Sequence, residues 1–187
     1  MNPNEKCFYS SHLASRSAIL IRRVTTALCA GISLVVSVSA VSSATDPALD
    51  WPSWRGPTGD GIATSGQNPP VQWSKTEGIV WSVAIPGRGH GSPTVVGDRI
   101  YLATADRVKQ TQSLLCLERQ SGKLVWQTEV HGGQADPGKH SNSSAASSTI
   151  ACDGERLFIN FLNSGAVQTT ALNLDGKILW QRKLCDF

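Results

Sequence analysis

Two stretches of this chain are nearly identical: Gly122-Lys-Leu-Val-Trp126-Gln127 and Gly176-Lys-Ile-Leu-Trp180-Gln181. Four of their six positions match, and the other two exchange one aliphatic residue for another. A weaker copy is Ile79-Val80-Trp81, so the three Trp residues are separated by 45 and 54 positions. Spacings of this length are typical of repeat units that each form one supersecondary structure. The chain is therefore predicted to be a repeat protein.

The residues before the second and third Trp also follow a common order. A short apolar segment leads into a Gly97-Asp98 or Asp153-Gly154 turn, and a β-branched or aromatic segment follows it. A third apolar segment and a second turn then precede the Trp segment. No apolar period of 3.6 residues persists beyond the leader. This pattern predicts an all-β fold with two four-stranded antiparallel sheets, at about 92–130 and 146–184. Ile79-Val80-Trp81 is predicted to be an N-terminal outer strand without the three inner strands before it.

The first 44 residues have the features of a signal peptide. Arg22-Arg23 is followed by an uncharged stretch from Val24 to Thr45. Small residues supply two cleavage candidates, Val38-Ser39-Ala40 and Ser42-Ser43-Ala44. An uncleaved membrane anchor at 1–44 is the alternative, since the uncharged stretch is long enough to span a bilayer. Both interpretations place the rest of the chain outside the cytoplasm, in the periplasm or secreted.

Charge and cysteine content narrow the class of protein further. The formal net charge of +3 comes from the leader, and the remaining residues hold 13 basic and 13 acidic side chains. A neutral body without a basic block argues against nucleic-acid binding, which depends on phosphate neutralisation. Beyond the leader the cysteines are Cys116, Cys152 and Cys185. This spacing predicts no metal site, and it leaves open one disulfide among the three.

A family resemblance follows from these motifs. Cys116-Leu-Glu-Arg-Gln-Ser121-Gly122-Lys-Leu-Val-Trp126 resembles the Ala-x-Asp-x-x-Thr-Gly-x-x-x-Trp signature of pyrroloquinoline quinone (PQQ)-like, or quinoprotein-like, β-propeller repeats. Ala171-Leu-Asn-Leu-Asp-Gly176-Lys-Ile-Leu-Trp180 is the same pattern shortened by one residue. Trp51-Pro-Ser-Trp-Arg-Gly-Pro57 and Pro86-Gly-Arg-Gly-His-Gly-Ser-Pro93 look like the N-terminal motifs of exported bacterial members. The resemblance covers about residues 50–184.

The resemblance implies a structural role for the repeated residues. In that family the Trp wedges between neighbouring blades and the Gly shapes the turn, so Trp81, Trp126, Trp180, Gly122 and Gly176 are expected to dock blades. Closed propellers have about four to eight blades. The chain is therefore predicted to contain a partial β-propeller at 79–187, preceded by an extension at 45–78. We expect it to be a truncated piece that needs the remaining blades or a protein partner.

No catalytic or metal-binding constellation is recognisable in the sequence. A PQQ-dependent dehydrogenase would need carboxylate and amide ligands for Ca²⁺ and a catalytic Asp, and neither is evident. We predict no cofactor for this chain, no catalytic residues and no metal site. The weak ligand-binding candidates, chosen because they lie in loops or Gly-rich segments, are Arg55, Arg88, His90, His140 and Asn142.

Three functional classes remain open. The first is an exported binding or scaffolding module, with no nucleic acid as partner and a membrane contact only if the leader is retained. The second is the N-terminal fragment of a quinone-dependent dehydrogenase, which would bring PQQ and calcium. The third is a gene remnant without function. The first is favoured, because membership of a fold family does not by itself establish an activity.

Overall fold

The computed structural model describes residues 45–46, 48–133 and 143–187, and within these residues every regular element is a β-strand. The described residues contain no helix long and apolar enough to cross a membrane. They all fall in one compact unit of the chain. The predicted all-β class with two four-stranded antiparallel sheets is confirmed.

The first sheet is a simple meander in which each strand pairs with the next in sequence. Its third strand is buried along most of its length, whereas the fourth is the exposed outer edge. A tight turn at Gly97-Asp98 joins the first two strands, as the sequence predicts. The strands are β1 (Thr94–Val96), β2 (Arg99–Asp106), β3 (Thr111–Glu118) and β4 (Leu124–Gly132).

The second sheet repeats the first, with the same strand order and the same antiparallel pairing. Register shifts occur between the third and fourth strands of both sheets, next to the residue that pairs with the repeated Trp. Cys116 pairs with Trp126 in the first sheet, and Ala171 pairs with Trp180 in the second. The strands are β5 (Ala151–Cys152), β6 (Arg156–Asn163), β7 (Ala166–Asn173) and β8 (Ile178–Asp186).

The core lies between the two sheets and takes residues from both. β1 and β5 approach each other, so the inner edges of the two sheets are adjacent. Fully buried apolar side chains explain why the sheets associate, since each such side chain contributes about 1.5–3 kcal/mol when it leaves water. The largest of them in the shared core are Tyr101, Leu114, Ile150, Leu157, Ile159 and Leu172.

The segment Ile79–Ile85, which contains the predicted outer strand, has no strand partner among the described residues. Its backbone forms no ladder with any described strand, although Trp81 reaches the first sheet through its side chain. A strand requires a neighbouring edge whose N–H and C=O groups are free to pair. The described residues place no such edge beside this segment, so apolar alternation alone does not produce a strand there.

The N-terminal extension crosses the inner edges of both sheets. Trp51 and Val95 of β1 exchange two backbone hydrogen bonds, at 2.7 and 3.0 Å. The carbonyl of Pro52 accepts a hydrogen bond of 2.8 Å from the amide of Cys152 in β5. A segment that pairs with a sheet edge satisfies N–H and C=O groups that would otherwise be left unpaired there. Residues 51–52 therefore fasten the two sheets together at their inner edges.

Candidate functional site

The two sheets meet through the repeated Trp of the first and the repeated Gly of the second. The indole N–H of Trp126 donates to the carbonyl of Leu174 at 3.1 Å. A Cβ placed on Gly176 would lie 2.7 Å from the Trp126 ring, and this Gly has a positive φ of 84°. Only Gly tolerates both conditions without strain. The hydroxyl of Thr128 adds a hydrogen bond of 2.7 Å to the carbonyl of Gly176.

The same contact occurs one unit earlier. The indole N–H of Trp81 donates to the carbonyl of Arg119 at 2.9 Å. A Cβ on Gly122, whose φ is 69°, would lie 2.5 Å from the Trp81 ring. The Trp of one unit thus covers the Gly turn of the next unit in both cases that the described residues contain.

No Gly turn of the described residues covers the third Trp. Trp180 is 38% exposed and keeps a tilted contact with Phe158 of its own sheet, at 6.2 Å between ring centroids. Leu184 of β8 occupies the position that Val130 has in β4, and it is 60% exposed against 7% for Val130. The outer face of the second sheet is therefore an apolar surface without a described partner.

A buried amide pair joins the sheets at the opposite end. Gln112 is fully buried, and its side-chain N–H₂ donates to the carbonyls of Ala145 at 2.7 Å and Leu162 at 3.0 Å. Its oxygen accepts a hydrogen bond of 3.1 Å from the amide of Asn163, which also donates to Gly133 at 2.9 Å. Because each polar atom of Gln112 has a partner, the pair avoids the cost of an unsatisfied buried group.

His131 of β4 pairs with Gln112 of β3, but its side chain is not fully hydrogen-bonded. Its Nε2 atom is buried and has no hydrogen-bond partner among the described residues, and its ring packs edge-on against Phe161 of the second sheet, 5.9 Å between centroids. Burial lowers the pKa of His131, because desolvation penalises the charged imidazolium. The neutral imidazole is therefore the form that this joint accommodates.

The candidates Arg88 and His90 lie on an extended segment whose alternate residues are glycines. Gly89 approaches the carbonyl of Ala103 and Gly91 approaches that of Ser148 so closely that a Cβ at either position would clash with backbone. Backbone hydrogen bonds link Arg88 to Ala105 and His90 to Ala146. Since side chains alternate along an extended chain, those of Arg88 and His90 point away from this packed side and are exposed.

The candidate Arg55 lies in the turn after Trp51-Pro52. Its guanidinium stacks on the exposed ring of Trp54, 4.6 Å from the ring centroid. The segment that carries it pairs with Val95, whereas Arg88 pairs with Ala105, five residues farther along β2 than the partner of Val95. Five residues span roughly 16 Å of strand. The backbone pairing thus anchors the segments of Arg55 and Arg88 at different levels of the sheet.

The two remaining candidates, His140 and Asn142, lie outside the described residues.

The cysteines are structural in character. Cys116 and Cys152 are both free thiols, so no disulfide joins any two of Cys116, Cys152 and Cys185. Burial raises the pKa of Cys116 to about 11 and also raises that of Cys152. A thiol with a raised pKa holds little thiolate at neutral pH and is a poor nucleophile.

Comparison with known protein families gives one result that covers most of the chain. The family described as outer membrane protein assembly factor BamB, a PQQ-like repeat family, matches residues 39–186. The chain belongs to this family. No curated protein matches the sequence. Members of the PQQ-like repeat family are built from β-propeller blades, so each described sheet corresponds to one blade.

The described part of this PQQ-like repeat protein does not fit a quinone with its calcium ion. Among the described residues, no group of three or more His, Cys, Asp or Glu side chains is arranged to hold a metal ion. The hairpin carboxylates are also engaged locally. Asp153 pairs with Arg156 at 2.8 Å, and Glu118 accepts a hydrogen bond from Ser121. The absence of a cofactor remains a prediction for the complete protein.

Sequence reasoning missed several residues that hold this PQQ-like pair of blades together. Gln112 and Asn163 carry the buried amide pair, and no sequence spacing marks them as neighbours. Thr128 and Gln181 follow the repeated Trp, and both donate across the joint, the latter to Val130 at 3.1 Å. The repeated Trp-Gln dipeptide is the one signal in the sequence that points to Gln181.

Proposed function

We propose that the chain is an exported PQQ-like propeller module that binds or scaffolds other protein and has no catalytic activity of its own. One observation carries this proposal. The outer face of the second blade repeats the Trp and the aliphatic residue of the joint face of the first blade, as Trp180 and Leu184, yet both are exposed. Exposed apolar patches of this kind mark interaction sites on soluble proteins.

The occupant of this face is a further PQQ-like blade. On the first blade, the Trp126 face is covered by a turn that presents Gly176 to the ring. The Trp180 face repeats that geometry, so it fits a turn with Gly at the corresponding position. Such a blade comes from the same polypeptide or from a partner protein, and either source would extend the module towards a closed ring.

The segment Ile79–Ile85 supports the same proposal at the other end of the module. Trp81 docks on the first blade, while Val80 is 89% exposed and the backbone pairs with no described strand. An extended segment with free N–H and C=O groups is suited to pair with the edge of another sheet. We therefore assign it as the outer strand of a blade whose other strands are supplied elsewhere.

Export rests on the leader and on the family. The basic residues, uncharged core and small-residue sites of residues 1–44 support secretion and cleavage near Val41 or Thr45. The matched family is described as an outer membrane protein assembly factor, which is consistent with a location outside the cytoplasm. Intact-mass measurement of the periplasmic or secreted fraction should find one of these two N-termini, and intact leader in soluble cytosol would contradict it.

Sedimentation velocity at micromolar concentration tests the docking face. The purified protein should self-associate, and Leu184→Arg should reduce the association because it places a charge on the exposed face. Val108→Arg is the matched control, since Val108 is 94% exposed in a hairpin of the first blade. A wild-type protein that is monomeric and unfolds cooperatively would show that two blades suffice.

Equilibrium dialysis with PQQ and Ca²⁺, followed by a dye-reduction assay, tests the non-catalytic role. We expect no stoichiometric retention of quinone and no turnover. Retention with dye reduction would favour the dehydrogenase, the alternative function. Retention without turnover would leave a binding module but would overturn the prediction that the chain binds no cofactor.

A further inference from the structure

Two adjoining cavities lie between the N-terminal extension and one end of the first blade. Their volumes are about 240 and 350 Å³, and both are lined by Leu49, Asp50 and Arg119. The shared residues make them two halves of one groove, here called the Arg119 groove. The larger half also contacts the hairpin turn at Gly97-Asp98.

Arg119 is held in place with part of its hydrogen-bonding capacity unused. Its Nη1 atom donates to the carbonyls of Leu49 at 3.1 Å and Gly97 at 3.3 Å. Its Nε and Nη2 atoms have no partner among the described residues, and no described carboxylate forms an ion pair with it. A guanidinium in this state can accept a carboxylate as a two-pronged partner.

Asp50, like Arg119, lines both halves of the groove and is held in place by hydrogen bonds. Its carboxylate is 6% exposed and accepts the amide N–H groups of Asp46 and Gly97, both at 2.8 Å. These bonds join the N-terminal extension to the turn of the first blade. These hydrogen bonds hold the extension against the blade without using Nε or Nη2 of Arg119. The groove is therefore already formed before a ligand binds.

The two halves of the groove differ in chemistry. The smaller half is mostly apolar, with Trp51, Pro57, Val95 and Ile100 among its lining residues. The larger half is lined by Asp46, Asp50 and Asp98, so its potential favours a cationic group. Arg119 lies where the two halves join.

A ligand complementary to this arrangement carries a carboxylate for Arg119, an ammonium for the acidic half and an apolar side chain for the smaller half. We propose that the Arg119 groove binds a free apolar α-amino acid, such as leucine or phenylalanine. The ammonium and carboxylate of such a ligand share one carbon, which suits two halves that adjoin at Arg119. The groove uses the side chain of Arg119, whereas Trp81 of the blade-docking segment bonds to the backbone carbonyl of the same residue.

Isothermal titration calorimetry of the full chain with L-leucine tests the proposal. We expect saturable binding that weakens about tenfold or more in leucinamide, which lacks the carboxylate, and in 4-methylpentanoate, which lacks the ammonium. Equal binding of leucine and leucinamide, or no saturable heat with either leucine or phenylalanine, would overturn the proposal.

Variants separate binding from folding. Arg119→Gln should lose leucine binding, and Arg107→Gln, at an exposed arginine of the β2–β3 hairpin, should keep it. Since Arg119 also bonds to backbone, Ala63→Phe provides an independent variant, because Ala63 lines the smaller half and is exposed. It should block leucine and leave the melting temperature unchanged. Leucine binding unaffected by both Arg119→Gln and Ala63→Phe would contradict the site.

Discussion

The outer strands β4 and β8 have nearly the same sequence pattern and different surroundings. On β4, Trp126 is half-buried and Val130 is buried against the second blade. On β8, the equivalent residues Trp180 and Leu184 are exposed. The burial of the repeated Trp therefore depends on whether a neighbouring unit presents a Gly turn to it, and not on its own sheet.

The largest expected difference between the two faces is in the stability lost when each Trp is replaced by Ala. Trp126→Ala should lower the free energy of unfolding by about 3–5 kcal/mol, because it removes a packed ring and the hydrogen bond to Leu174. Trp180→Ala should cost less than half as much, since its ring is partly in water. Urea unfolding followed by circular dichroism measures both. Equal losses would show that contact with the second blade adds little to the stability that Trp126 provides.

A second test concerns the Gly turn that meets Trp126. Gly176→Ala should destabilise the protein by about 1–3 kcal/mol more than Gly165→Ala. Both glycines have a positive φ, of 84° and 69°, so the backbone strain is matched. Only at Gly176 would the new Cβ meet the indole ring, since nothing lies within 4 Å of a Cβ at Gly165. A similar loss in both variants would mean that the ring moves aside at little cost.

A third comparison uses the residue two positions after each Trp. Thr128→Val should lower the free energy of unfolding by about 1 kcal/mol, because the carbonyl of Gly176 loses its donor. Arg182 is the equivalent residue of β8 and is exposed, so Arg182→Ala should change stability by less than about 0.5 kcal/mol. Thermal unfolding of the two variants side by side gives the difference. A larger effect at Arg182 would place a hidden contact on the outer face of β8.

The smallest expected effect is a pH dependence that belongs to the covered joint. Burial lowers the pKa of His131, so the unfolded chain, with an ordinary His pKa near 6.5, binds the proton more readily than the folded one. The contribution of neutral His131 to the free energy of unfolding is therefore complete above about pH 6.5, and it declines as the pH falls below that value. His131→Gln should flatten this slope of stability against pH, and His90→Gln, at an exposed histidine, should leave it unchanged. An unchanged slope in His131→Gln would locate the pH dependence elsewhere.

Local patterns in the sequence were sufficient to predict the strands. Alternating apolar residues and Gly-Asp or Asp-Gly turns specify each hairpin, and the repeat of the Trp motif specifies two like sheets. Ile79–Ile85 has the apolar pattern of a strand, and no edge of the described residues pairs with it. Pairing depends on a second segment, and a pattern within one segment cannot show whether that segment is present.

The candidate binding residues were harder to predict, because they depend on contacts between distant parts of the chain. Gln112 and Asn163 meet across the two blades, and Arg119 meets Leu49 from the N-terminal extension. The glycines that flank Arg88 allow its segment to approach the backbones of β2 and of Ala146 closely. Their strict alternation is a signal of close packing that the sequence does contain.

The hydrogen bond between Pro52 and Cys152 has a consequence for the order of folding. It links positions about 100 residues apart, whereas the hairpins of each blade join residues that are near in sequence. Contacts of long sequence separation form slowly, because closing the intervening loop costs entropy. The first blade can form its hairpins and its hydrogen bonds to Trp51 before β5 is in place. The bond from Cys152 to Pro52 forms only when β5 of the second blade arrives, so this bond reports a late step of folding.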